Sequence, residues 1–217
     1  MTPRGSKSPA YRLGFYGSLT ERERAEVCLG AILTQSTSWG NVEIALQHLH
    51  QAGIWDLAAV AAVPRGRLEA LVRSSGYFRQ KSRKLRLFAG HWLGLRVSLR
   101  SWLSGPLETL RCELLGLWGI GPETADSILL YAGGRAVFVV DAYTRRIGQR
   151  LGWFDSSAYQ AVQSYFIERL PKSPRLYAEF HALLVALAKS HCLKNPRCAG
   201  CPLLGICRYG RGALKAL

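Results

Sequence analysis

The sequence predicts an all-α protein. Three observations carry that prediction. Apolar residues recur at helical spacing in short segments, those segments are joined by short turns, and no alternating apolar–polar series of strand type appears. There is no repeat period either. At 217 residues the chain is long enough for one large domain or two small ones around a real core.

Taken in order, residues 1–15 contain Pro, Gly and Ser and are expected to be loosely held. Thr20-x-x-Glu23 has capping-box spacing and predicts a helix start, with the helix running to Leu33 and ending in Thr34–Ser38. A second helix is expected over Asn41–His50, then short helices over Asp56–Val63 and Leu68–Ser74 around Pro64. Gly76-Tyr77-Phe78 reads as a turn. A basic helix follows from Lys81 to about Leu95, and Pro106–Leu115 leads into a Gly-x-Gly turn. Beyond it, helices are expected up to Leu151, over Ala158–Leu170 and over Leu176–Ser190.

The formal net charge is +15, from 29 Lys+Arg against 14 Asp+Glu. Such an excess points to a polyanionic partner, although an arginine-rich proteome alone would also raise it. No apolar stretch is long enough to span a bilayer, and no basic amphipathic segment with a strong apolar face suggests a membrane surface. The basic start lacks an apolar segment behind it, so no secretory signal is expected.

The most informative stretch runs from Leu114 to Leu151. In it, Leu117-Trp118-Gly119-Ile120-Gly121 ends an apolar run, and a helical pattern starts at Pro122. Glycines permit positive φ and close backbone approach, and proline suits the first helical turn. The N–H groups of Gly119 and Gly121 would then face outward at a helix N-terminus, where anions bind. Taken alone, such a turn is common in helical proteins. Further on, Asp141 stands between Val137-Phe138-Val139-Val140 and Tyr143-Thr144-Arg145-Arg146. By itself it reads as a helix N-cap.

Four of the six cysteines gather as Cys192-x5-Cys198-x2-Cys201-x5-Cys207. That is metal-ligand arithmetic, with zinc and an iron–sulfur cluster as candidates. A four-cysteine zinc site generally uses two Cys-x-x-Cys knuckles, and this chain has one. Cys28 and Cys112 sit in apolar helical settings and read as core thiols.

Together, Leu117–Ala125 and Val140-Asp141 resemble the helix-hairpin-helix and catalytic aspartate of the endonuclease III family of DNA glycosylases. The family's hairpin reads Leu-x-Gly-x-Gly-x-x-Thr-Ala. The cysteine pattern is similar to the family's [4Fe-4S] loop, one residue short in its first interval. The resemblance spans about Ser18 to Cys207. It implies an all-α architecture of two domains with the lesion site in the cleft between them: a six-helix barrel carrying the hairpin (16–135) and an iron–sulfur domain built from both chain ends (1–15 and 136–217). It makes Cys192, Cys198, Cys201 and Cys207 the cluster ligands, with Lys194, Arg197 and Arg208 presented beside them toward phosphate. It makes Asp141 the catalytic carboxylate. Members that also cut the DNA backbone carry a lysine before Thr-Ala, where this chain has Glu123.

A glycosylase takes its target base out of the stack. In the family a glutamine after the first core helix fills the gap, which places Gln35 in that role, and a second wedge would be Tyr77. Their plain alternatives are helix capping and half-buried packing. Trp39 and Trp118 could stack on a cationic alkylated base, or simply pack in the core. Ile32-Leu33-Thr34-Gln35-x-Thr37-x-Trp39 with Gly119-Ile120-Gly121-x-Glu123-Thr124-Ala125-Asp126 resembles the 3-methyladenine glycosylase branch, which also lacks the lysine. The resemblance therefore implies a monomeric, monofunctional enzyme acting on damaged double-stranded DNA, cytoplasmic and nucleoid-associated. The alternatives are a bifunctional pyrimidine-lesion enzyme using another lysine and a damage-binding protein without chemistry. An adenine-mismatch enzyme is disfavoured, since Ala31 stands where that branch has a catalytic Glu.

Overall fold

The structure, a computed structural model, describes residues 18–215. Residues 1–15, assigned above to the second domain, lie outside the described residues. Helices follow one another throughout, and no strand occurs among the described residues. The chain divides after Arg135 into two compact units.

In the first unit, α1 spans Glu21–Leu33, α2 Trp39–Gln51, α3 Leu57–Ala62 and α4 Arg65–Leu71, with a 3₁₀ turn at Arg73–Ser75. Then come α5 (Phe78–Leu95), α6 (Leu99–Leu103), α7 (Leu107–Gly116) and α8 (Pro122–Ser127), which widens into a π-helical turn at Ile128–Ala132. The expected capping box opens α1: Thr20 Oγ1 accepts from the Glu23 N–H at 3.3 Å and Glu23 Oε2 accepts from the Thr20 N–H at 2.8 Å. Seven of its thirteen residues are buried, among them Val27, Cys28, Leu29, Ile32 and Leu33. A helix buried on several sides must be central, and α1 touches α2, α5, α6, α8 and the π-helical turn.

Some boundaries differ from expectation, and α5 begins at Phe78 rather than Lys81. The second helix begins at Trp39, two residues early. α6 was not expected, because five residues carry too little periodicity to read. It forms because the Glu21 carboxylate accepts the N–H groups of Leu99 and Arg100 at 2.7 and 3.0 Å, while Ser98 caps Ser101. These are the donors a helix start leaves unpaired.

In the second unit, Val137–Val140 lies outside any helix and is buried. Phe138 stacks on Phe166 with centroids 4.2 Å apart and meets Tyr177 and Phe180 edge-on. Its carbonyl accepts from Gln163 Nε2 at 2.7 Å, a partner that a segment outside any helix must find in a side chain. Around it stand α9 (Ala142–Leu151), α10 (Tyr159–Arg169) and α11 (Pro174–Ser190). α11 starts earlier than expected because Ser173 caps it and Pro174 takes the first position. A further helix, α12 (Arg208–Lys215), follows the last cysteine and was not expected.

Candidate functional site

The hairpin is α7, the turn Leu117–Gly121 and α8. Gly119 has φ +82, which glycine alone adopts freely, and a Cβ there would strike the Lys84 side chain at 2.4 Å. Gly121 caps α8 with ordinary φ −96 and open space where its Cβ would be. The two glycines therefore serve different ends: Gly119 makes the turn, and Gly121 leaves room in front of a helix N-terminus. Asp126 on α8 is wholly buried and bound by Arg111 of α7, Nε to Oδ1 at 2.7 Å and Nη2 to Oδ2 at 3.2 Å. That ion pair ties the two arms together, and the sequence reading missed it. Glu123 lies exposed in the first turn of α8, where a carboxylate suits the helix dipole.

Gln35 reaches this turn from the end of α1. Its Nε2 donates to the Gly119 carbonyl at 3.0 Å and to Thr124 Oγ1 at 2.8 Å, while its Oε1 accepts from Lys84 Nζ. Lys84 is partly desolvated, and this lowers its pKa. Lys84 stands far from the hairpin in sequence, yet the fold lays this α5 residue against it.

Gln35 and Tyr77 come together in the structure. Both line one depression of about 290 Å³, shared with Ser36, Gln80, Lys81 and Lys84. Tyr77 is 67% exposed and follows Gly76 at the tip of a turn in which both have positive φ, +69 and +44. A non-glycine in that region is strained and persists only where its surroundings hold it. Lys81 supplies the hold: its buried Nζ donates to the Ser75 carbonyl below the tip and to the Leu33 carbonyl at 2.8 Å. Burial, helped by nearby Lys84, brings that amine down to about 8.

Trp118 is 46% exposed, and the Arg83 guanidinium lies 4.2 Å over its ring. One face of the indole is thus already engaged by a cation. Trp39 opens α2, half-buried.

In the second unit Asp141 is the N-cap of α9. Its Oδ1 accepts from the Thr144 N–H at 2.6 Å and the Thr144 hydroxyl at 2.8 Å. Its Oδ2 faces His181 Nε2 of α11 at 3.5 Å, and both side chains are nearly buried, at 14% and 13% exposure. Burial pushes the carboxyl up, but His181 and Thr144 outweigh it and hold Asp141 below its ordinary value. The plain N-cap reading is therefore correct as far as it goes, and it leaves Oδ2 over. His181 was not singled out in the sequence; forty residues separate it from Asp141, and only the packing of α9 on α11 joins them.

The same α9 meets the cysteine loop at its far end. Arg146 donates twice to the Cys192 carbonyl, at 3.0 and 2.7 Å. Arg150 donates to Cys192 Sγ at 3.3 Å and to the carbonyls of Leu193 and Lys194 at 2.6 and 2.8 Å. Cys192, Cys198, Cys201 and Cys207 are unpaired in disulfides and half-buried. Burial raises the Cys198 thiol, and Cys207, Cys201 and Cys192 raise it further, against a lowering by Arg150. The donor set suits an iron–sulfur cluster: four thiols and an Arg150 N–H aimed at one sulfur. Among the described residues no three His, Cys, Asp or Glu side chains stand gathered tightly enough to grip a single metal ion. Lys194 and Arg197 are exposed beside the loop. No helix among the described residues is long and apolar enough to cross a membrane.

Comparison with known proteins is direct. Residues 29–172 match the model of the HhH-GPD superfamily base excision DNA repair proteins. A Methanocaldococcus jannaschii protein named as a DNA repair glycosylase is 39% identical over 187 residues, covering 85% of each chain. Endonuclease III of Bacillus subtilis is 30% identical over 154 residues, 69% of this chain and 65% of that one. Among solved structures, H. pylori 3-methyladenine DNA glycosylase bound to 1,N6-ethenoadenine superposes with a TM-score of 0.73 at 29% identity, covering 84% of this chain and 90% of that one. The matched range takes in both the hairpin built on Gly119 and Gly121 and the Asp141 that caps α9, and the chain belongs to the HhH-GPD superfamily of base excision DNA repair glycosylases.

Proposed function

We propose that this glycosylase is monofunctional and releases alkylated bases from double-stranded DNA, leaving an intact strand with an abasic site. One observation carries the reading. At the start of α8 stands the carboxylate of Glu123, and the amines of the two α5 lysines lining the nearby depression are already bound: Lys81 to the carbonyls of Leu33 and Ser75, Lys84 to Gln35. A lyase needs a free amine to form a Schiff base with the sugar, and a carboxylate cannot form one. The likeness to a 3-methyladenine enzyme supports an alkylated substrate. So does Glu123, whose negative potential favours a cationic base.

In this reading the N–H groups of Gly119 and Gly121 hold a phosphate, Gln35 and Tyr77 enter the gap left by the flipped base, and Trp39 and Trp118 offer stacking surface. Gln35 exchanges its bonds to Gly119 and Thr124 for the DNA. Asp141 stabilises the oxocarbenium-like sugar and orients or deprotonates the attacking water. Cys192, Cys198, Cys201 and Cys207 hold a [4Fe-4S] cluster whose part is architectural, with Lys194 and Arg197 presented to phosphate. The protein acts as a monomer at the nucleoid.

A second reading has an observation of its own. Lys84 lies on the hairpin turn, and desolvation lowers its pKa, which is what an amine nucleophile requires. The test uses duplexes each carrying one defined lesion, assayed with and without alkali. Strand breakage only after alkali supports the monofunctional reading. A covalent adduct trapped by borohydride refutes it and, if lost in Lys84→Met, identifies the amine. Asp141→Asn should abolish excision and leave damaged-DNA binding intact. Full excision by that variant would end the catalytic assignment and leave the damage-binding reading or another site.

A further inference from the structure

We infer that His181 is a positioning residue for the reaction, holding Asp141 Oδ2 toward the sugar while Thr144 holds Oδ1. The inference rests on the reading of Asp141 as the carboxylate that meets the sugar and adds to it the group that sets its aim. A carboxylate has two oxygens and rotates about one bond. Here Oδ1 takes two hydrogen bonds from Thr144, as any good N-cap would. That interaction pins α9 but says nothing of where the second oxygen points. The side chain within reach of Oδ2 is His181, at 3.5 Å and almost fully enclosed.

The separation is long for a hydrogen bond and within ion-pair range, so the pair can tighten when water leaves the site on DNA binding. A neutral imidazole with its proton on Nε2 would donate to Oδ2 and leave the carboxylate its full charge. That arrangement suits a group that must face a developing cation. His181 comes from α11, a seventeen-residue helix packed on α9, so the aim is fixed by a rigid element rather than a loop. Thr144 is wholly buried, which leaves the cap little freedom. The pair thus divides one carboxylate between folding and chemistry, with His181 on the side of the chemistry.

The experiment uses the full chain and dimethyl-sulfate-treated duplex DNA, with base release followed under single turnover and binding measured separately. His181→Leu should slow release by about 10- to 100-fold, the loss seen when a side chain that orients a metal ligand is removed, with binding unchanged. His181→Gln, whose amide nitrogen reaches about as far as Nε2 and donates, should restore most of the rate. His181→Asn, too short to reach, should stay slow, and the Gln/Asn contrast stands even where the Leu variant does not fold. Equal rates for Gln and Asn would overturn the inference, since they would mean that only volume matters at this position. So would an unimpaired Leu variant beside an inactive Asp141→Asn. An active Asp141→Asn would instead bring down the catalytic reading of Asp141 itself, which separates the two failures.

Discussion

The hairpin and the cysteine tail are held by opposite means. The hairpin is closed by side chains that the fold supplies: Ile120 is buried, Asp126 is paired with Arg111 in the interior, and Gln35 bonds across to Gly119 and Thr124. The tail from Cys192 to Cys207 has no helix and little buried surface, and Ile206 is 62% exposed. It hangs on α9 through Arg146 and Arg150, which bind mostly its backbone carbonyls. A segment that buries so little cannot offset the entropy of its own ordering. The first region finishes itself by packing; the second asks for a staple, and its four thiols are the only candidates in it.

The comparison can be broken, and the largest expected effect lies in the tail. Cys198→Ser should yield protein without iron and with a C-terminal segment open to protease, while Ser18–Arg135 keeps its protection. Metal-type staples supply about 10 kcal/mol or more in small sites, so a retained full complement of iron would defeat the idea. Next comes Arg111→Met. It removes the guanidinium from the buried Asp126 carboxylate and should cost about 3–5 kcal/mol in urea unfolding. A loss under about 1 kcal/mol would show that the hairpin is not held by this pair.

The glycines give a finer contrast. Gly119→Ala meets both a positive φ and the Lys84 stem, so it should destabilise by about 1–2 kcal/mol. Gly121→Ala meets nothing and should leave the melting temperature alone, yet, if a phosphate binds there as proposed, weaken binding to damaged and undamaged duplex alike. Selective loss for one lesion would contradict a phosphate role. The smallest effect is at Asp141. Its folded pKa is lowered, so its stabilising contribution is complete above the unfolded value of about 3.9 and fades as pH falls through the lower folded value. The stability difference between the parent and Asp141→Asn should therefore be level above pH 5 and shrink below pH 4. A difference that grew on acidification would reverse the sign.

Much of this was legible in the sequence because it is local. The Thr20–Glu23 cap, the Gly-x-Gly turn and the spacing of the cysteines each occupy a few consecutive residues, and local geometry follows from local chemistry. Asp141 as an N-cap was legible for the same reason. The rest joins distant positions. Lys84 meets Gly119 thirty-five residues on, and His181 meets Asp141 forty on; no periodicity carries such pairings. α6 escaped notice because the Glu21 carboxylate that starts it belongs to another helix. Gln35 shows a middle case: its position suggested contact with DNA, while its bonds to the hairpin appear only in three dimensions.

The role proposed for Asp141 beside its helix cap has a genetic consequence. An aspartate codon becomes an asparagine codon by one base change, and asparagine caps helices about as well as aspartate does. The change that removes the charge facing His181 therefore spares the fold. On the catalytic reading, a strain carrying it would not merely lack the enzyme. It would make a stable protein that finds lesions, sits on them and shields them from other repair, so the allele should be dominant in its effect where a deletion is recessive.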